Sequence, residues 1–163
     1  MTRFQELLER FQTDQVESIV IGGMAGAALG AARVTYDLDL VYRRTPANLE
    51  RLVKALGDLS PYLRGAPPGL PFRFDVETVR RGLNFTLTTR AGDLDLLGEV
   101  TGGGRYEDLL PFSVELDLLG VRCLCLGLEK LIEVKRAAGR PKDFEAIAEL
   151  EALREERERR DQE

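Results

Sequence analysis

The chain has 163 residues, 44% of them hydrophobic, enough for one core that buries roughly 68–70% of the surface an unfolded chain exposes. A net charge of −5 argues against strong non-specific attraction to a polyanion, and the lack of histidine removes histidine-based triads, leaving carboxylates, lysine and tyrosine for any proton transfer. Arg3, Glu6, Glu9 and Arg10 interrupt residues 1–11 and no apolar run approaches ~18 residues, so neither a signal peptide nor a membrane span is expected, and a cytoplasmic location is.

Phe4, Leu7, Leu8 and Phe11 recur at helical spacing over residues 2–12, with Thr2 placed to cap that helix. The β-branched run 18–21 reads as a strand that stops at Gly22-Gly23, and the alanine-rich stretch 24–32 favours a helix. Residues 37–42 form a second strand, with Leu38, Leu40 and Tyr42 alternating against Asp37, Asp39 and Val41. Thr45 can cap, and Pro46 can open, a helix that runs to about residue 59. Residues 60–71 hold Pro61, Pro67, Pro68, Gly69 and Pro71 and read as a loop, either an active-site flap or a connector.

A helical turn over 75–80 precedes a strand over 83–89, which turns at Ala91-Gly92 into an antiparallel partner over 93–98. A glycine-rich loop, 101–105, leads to strands over 113–118 and 122–126 hinged at Gly120. Helix 128–138 stops at Gly139, and Pro141 opens a last helix with Phe144, Ile147, Ala148 and Leu150 as its buried stripe. The predicted fold is α/β or α+β, a mixed sheet flanked by helices within one domain, 1–153, followed by a charged segment, 154–163, that either ends the last helix or frays. Cys123 and Cys125 fall on one side of a strand, and with no third cysteine and no histidine they read as core thiols rather than a disulfide or a metal site.

A strand has period two, so Asp37 and Asp39 project from one face, as do Asp93 and Asp95. Neighbouring carboxylates repel unless a cation lies between them, and a hard divalent ion such as Mg²⁺ takes oxygen ligands together with substrate phosphates. If the two strands are neighbours, their acids converge. Taken singly, each motif has a plainer explanation. Gly22-Gly23 fits an ordinary strand-to-helix turn, and Asp37 with Asp39 fits the solvated side of an edge strand. Lys135, Arg136 and Arg140 fit a helix end, with Asp143 at the next helix start. Arg43-Arg44 and Arg80-Arg81 read as solvated, and Tyr36 and Tyr42 as packing residues.

The order Gly22-Gly23, Asp37-x-Asp39, Asp93-x-Asp95, then Lys135 with Arg140-x-Lys142-Asp143, resembles the polymerase-β-type nucleotidyltransferase superfamily over residues 16–153. It is most similar to small stand-alone bacterial members, including the AbiEii-like toxin group of toxin–antitoxin systems. The resemblance implies transfer of a nucleoside monophosphate from an NTP to a hydroxyl of an RNA or tRNA end, a protein or a small molecule, with two Mg²⁺ ions, or Mn²⁺. By position, Asp37, Asp39 and Asp95 would be the catalytic metal ligands, with Asp95 helping to deprotonate the acceptor. Gly22, Gly23, Lys135 and Asp143 would serve the nucleotide and its phosphates. The chain departs from the pattern in carrying Gly22-Gly23 where many members have Gly-Ser, and in lacking an obvious acceptor-recognition domain. A binding or regulatory protein on the same fold, such as an antitoxin-like partner without turnover, is the alternative; a hydrolase is a poorer one.

Overall fold

The computed structural model describes residues 3–31, 35 and 37–163. In chain order these form α1 (Phe4–Thr13), β1 (Ser18–Ile21), α2 (Gly22–Ala28), β2 (Asp37–Tyr42), α3 (Pro46–Leu56), β3 (Tyr62–Leu63), α4 (Val76–Arg81), β4 (Phe85–Thr89), β5 (Gly92–Leu97), α5 (Tyr106–Leu109), β6 (Ser113–Leu118), β7 (Val121–Leu126), α6 (Leu128–Ala138) and α7 (Phe144–Asp161). The strands make one mixed seven-stranded sheet in the order β3-β4-β5-β2-β1-β7-β6. β2 therefore lies in the interior of the sheet, so its aspartates do not belong to an edge strand. It pairs antiparallel with β1 and parallel with β5, and β5 pairs antiparallel with β4.

The alternation read in β2 and β5 has a direct packing consequence. Leu38, Leu40, Leu94 and Leu96 are fully buried or nearly so, together with Leu87 of β4, and the intervening residues of β2 and β5 turn to the opposite face. One face of the central strands is thus continuous core while the other presents carboxylates. Burying several leucines at about 1.5–3 kcal/mol each supplies the stiffness that a polar face cannot supply for itself. Cys125 is completely buried and Cys123 half-buried, both as free thiols.

Asn48 ties the start of β1 to the end of β2. Fully buried on α3, it accepts a hydrogen bond from the Glu17 amide at 2.7 Å and donates from Nδ2 to the carbonyls of Glu17 at 3.0 Å and Arg43 at 2.7 Å. The α3 N-terminus is itself capped by Thr45, whose hydroxyl accepts from the Asn48 amide, with Pro46 in the first turn.

Several elements differ from the sequence expectations. The 60–71 loop contains β3, an edge strand of two residues paired with β4, which its proline content conceals. α3 ends at Leu56 and tightens into a 3₁₀ turn, Gly57–Leu59. α2 spans Gly22–Ala28, shorter than 24–32 predicts, because the chain breaks at Gly30, where φ is +114°. The first helix begins at Phe4; the expected Thr2 cap and the packing role of Tyr36 lie outside the described residues. α5, after the glycine-rich loop, was not anticipated. α7 continues through the charged segment to Asp161 instead of fraying, with Arg154 paired to Glu129 and Arg160 to Glu156. Ile147 and Leu150 form its buried stripe as expected, but Phe144 is 60% exposed and Ala148 is also exposed. Arg44 is not simply solvated: it donates to the Tyr42 hydroxyl and to the carbonyls of Val79 and Arg80. Arg43 pairs with Glu17 and Glu107. No helix among the described residues is long and apolar enough to cross a membrane.

Replacing Asn48 by alanine takes a hydrogen bond from three backbone groups at the β1–β2 junction, of which the Glu17 carbonyl keeps the Arg43 amide. Asn48→Ala is expected to lower unfolding free energy by about 2–3 kcal/mol, read from urea denaturation followed by circular dichroism.

Candidate active site

Strand register builds the site. Asp39 stands opposite Asp95 and Asp37 opposite Asp93 across the parallel β2–β5 pair, and Ile21 stands opposite Asp39 on the other side. The row continues outward through Thr86, the partner of Asp95 on β4, to Arg64, whose amide donates to the Thr86 carbonyl at 3.0 Å. Cross-strand partners share a face, so one polar face carries this whole row. Carboxylate oxygens of Asp37, Asp39 and Asp95 lie within 4.8 Å of one another, the arrangement expected from two neighbouring strands.

Asp39 is the most constrained of the three. Its Oδ1 is buried and has no hydrogen-bond partner. Burial, then the charges of Asp37 and Asp95, push its carboxyl up to about 8, with the Lys135 ammonium acting weakly in the opposite sense. The crowding of negative charge that helps to raise this proton affinity also favours a bound cation in place of the proton, and a donor set made only of carboxylate oxygens suits a hard divalent ion. Asp37 is braced by Thr35, whose hydroxyl donates to the Asp37 carbonyl at 3.0 Å.

Gly22 makes room for this cluster. It has a φ of +69°, and a Cβ there would clash with Asp39 Oδ2, so the position requires glycine on two independent counts. Gly23 is less crowded but still close to Thr35, whose Cβ and Oγ1 lie 3.0 Å from where a Cβ would sit. The glycine pair is therefore more than a turn: it lets the backbone close over the acidic cluster.

A cleft of about 250 Å³ opens beside the acids, lined by Gly22, Asp39, Asp95, Asn84, Lys135 and Arg140 among others. Lys135 comes from the last turn of α6, and Arg140 from just after the Gly139 stop, where φ of +64° ends the helix. Asp143 does not line this cleft. It is 5% exposed and holds Arg140 through bonds of 2.7 Å from Nε and 3.3 Å from Nη2. The structure thus brings Gly22, Asp39, Asp95 and Lys135 to one cleft, with Asp37 in the carboxylate cluster at its side, Gly23 behind against Thr35, and Asp143 acting on Arg140. A larger hollow of about 880 Å³ beside Phe4, Met24 and Leu118 reaches Thr35 but is lined by none of the three clustered aspartates.

Three residues of this region escaped the sequence reading. Asn84 lines the cleft, and its Oδ1 accepts from the amides of Gly98 and Glu99 at 2.9 and 3.3 Å, fixing the end of β5. Glu99 is also in the wall. Arg64 pairs with Asp95 at 2.8 Å and with Asp93 at 3.4 Å. The one available signal was the i, i+2 spacing of Tyr62 and Arg64 around Leu63, too short to stand out from the prolines that follow.

No family model and no curated protein matches the sequence. The fold does match solved structures. One is named a putative nucleotidyltransferase from Thermotoga maritima, 15% identical, with 91% of this chain and 93% of that chain covered at a TM-score of 0.58. Another is the antibiotic-resistance factor ANT(2'')-Ia, 17% identical, with 96% and 90% covered at a TM-score of 0.52. At these identities the likeness is one of fold: the mixed sheet and its flanking helices are shared along nearly the whole of each chain.

The raised Asp39 carboxyl has a consequence for stability. The native state holds this proton up to about pH 8, whereas the unfolded chain releases it near pH 4, so this group's contribution falls as pH rises between those limits and then levels. In the presence of a chelator, Asp39→Asn should raise the melting temperature relative to wild type, by little at pH 4.5 and by several degrees at pH 8.5. Added Mg²⁺ should narrow that difference at pH 8.5 by stabilising only the wild type.

Proposed function

We propose that the protein is a metal-dependent nucleotidyltransferase that moves a nucleoside monophosphate from an NTP to an acceptor hydroxyl. The observation that carries this reading is the in-register placement of Asp39 opposite Asp95, with Asp37 alongside, in a cleft that Lys135 and Arg140 also line. Carboxylate oxygens and cationic side chains lining one cleft suit a divalent ion together with a triphosphate. The fold that the chain shares with a Thermotoga maritima protein named for nucleotidyl transfer supports the same reading.

Asp37, Asp39 and Asp95 would hold the cations, Mg²⁺ or Mn²⁺ and two in number by the family's chemistry, and bound there they would neutralise the triphosphate and the departing pyrophosphate. The remaining work falls to the chain. Lys135 meets phosphate oxygens as a point charge, and Arg140, kept in place by Asp143, presents a guanidinium in the same cleft. Gly22 and Gly23 keep side chains out of the space where the phosphates approach Asp39. Asp95 takes the proton of the acceptor hydroxyl as its oxygen bonds to the α-phosphorus and the bond to the β-phosphate bridging oxygen breaks. Phosphoryl transfer of this kind depends mostly on positioning and charge neutralisation, and the site consists of little else.

The acceptor, whether an RNA or tRNA end, a protein hydroxyl or a small molecule, is the part the cleft specifies least. The toxin–antitoxin setting and a small partner protein rest on the sequence resemblance alone. Incubation with each α-labelled NTP, Mg²⁺ or Mn²⁺ and an extract retaining RNA, protein and small molecules should transfer label. Ribonuclease or protease sensitivity then names the acceptor class. Asp39→Ala should lower transfer by at least about 100-fold, since even partners behind a metal ligand are worth 10–100-fold. Lys135→Ala should raise the KM for NTP by roughly 10-fold or more, the loss of one charge-assisted contact. No transfer with any NTP would contradict the catalytic reading and favour a binding protein on this fold.

A further inference from the structure

Arg64 lies at the outer end of the row that contains Asp39 and Asp95, and nothing in the proposed chemistry above accounts for it. Its side chain is 28% exposed. Nη2 donates both to Asp95 Oδ1 at 2.8 Å and to the Leu87 carbonyl at 2.7 Å, while Nε approaches Asp93 Oδ2 at 3.4 Å without a well-aligned hydrogen bond. Asp95 is thus the tight partner and Asp93 the loose one. Only one oxygen of Asp95, Oδ1, is engaged in this way.

The backbone that carries the guanidinium is tied at several points. The Arg64 amide extends the β3–β4 ladder. The chain beyond it is folded back by the Tyr62 hydroxyl, which donates to the Pro67 carbonyl and accepts from the Leu70 amide at 3.2 Å, and by edge-to-face packing of Tyr62 on Phe72 with ring centres 6.1 Å apart. The side chain itself is held at Asp95 and at the Leu87 carbonyl by hydrogen bonds from the same Nη2, the one to the carboxylate being charge-assisted.

We propose that Arg64 is a positioning residue for the acidic cluster, gripping Asp95 from the outside so that its carboxylate stays in place beside Asp37 and Asp39, which with it would hold the cation. The inference rests on the metal-dependent reading of the site, and it assigns to the proline-rich 60–71 segment the task of carrying that anchor.

Charge and positioning predict opposite results, which makes the inference testable. By Coulomb attraction alone, removing a cation from beside Asp95 would tighten divalent-ion binding. Loss of a partner that orients a ligand weakens it, typically by 10–100-fold. Mn²⁺ binding to the purified chain, measured by electron paramagnetic resonance, should weaken by about 10-fold or more in Arg64→Ala relative to wild type, and by less in Arg64→Lys. The kcat of label transfer should fall in parallel while the KM for NTP stays within about twofold. Circular dichroism checks that each variant is folded; should Arg64→Ala not fold, Arg64→Lys decides, with weaker Mn²⁺ binding expected. Mn²⁺ binding in a folded variant that is unchanged, or tighter than in wild type, overturns the positioning role and leaves the metal-site reading intact. A wild type that binds no Mn²⁺ overturns the metal-site reading itself, and this inference with it.

Discussion

Three carboxylates within 4.8 Å of one another repel, and one of them is largely buried; the rest of the molecule can be understood as what holds them there. The interaction is unfavourable in isolation, as the upward displacement of the Asp39 carboxyl to about 8 records. A fold keeps such a cluster only if its backbone is determined elsewhere. Here that determination comes from the opposite face of the same strands, where Leu38, Leu40, Leu94 and Leu96 are packed in the core. Because strand side chains alternate, no movement of β2 relieves the aspartates without exposing leucines. Repulsion on one face is paired with burial on the other.

The surroundings are graded around this cluster. On one side Gly22 closes the backbone over Asp39 to a distance that no side chain permits, and Lys135 and Arg140 supply positive charge in the same cleft. On the other, Arg64 supplies positive charge to Asp95 from the edge of the sheet. The two sets of cations differ in their freedom. Arg64 is engaged with Asp95, Asp93 and a carbonyl, while Lys135 lines open space where a ligand's phosphates would lie. This asymmetry gives the site a supported wall and a receptive one, the arrangement a positioning mechanism needs.

Local patterns were legible in the sequence and long-range ones were not. β2 was readable with both its ends because alternation of leucine and aspartate is strong, and α6 because Gly139 provides the left-handed turn after it. The same alternation showed that Asp93 and Asp95 share a face. What it did not reveal is that β5 lies parallel beside β2, which brings Asp95 opposite Asp39; parallel pairing of strands more than fifty residues apart leaves no short-range signal. β3 was hidden because two residues are too few for a period and the prolines around them dominate, and Arg64 was hidden with it. Phe144 was misplaced for a different reason. A helical stripe identifies candidates for burial, but at the first turn of α7 the Phe144 ring is left 60% exposed. Asp143 was assigned to the nucleotide from its position, whereas its side chain is buried on Arg140, a distinction that only packing can make.

Likeness to solved structures establishes the scaffold alone, and the carboxylate cluster is what the proposed chemistry rests on. The most direct measurement is the anomalous difference density of crystals soaked with Mn²⁺ and an NTP analogue that cannot release pyrophosphate. The account predicts metal peaks bounded by Asp37, Asp39 and Asp95, with the triphosphate extending toward Lys135. Nucleotide bound elsewhere, or an acidic cluster free of metal at saturating Mn²⁺, would contradict it.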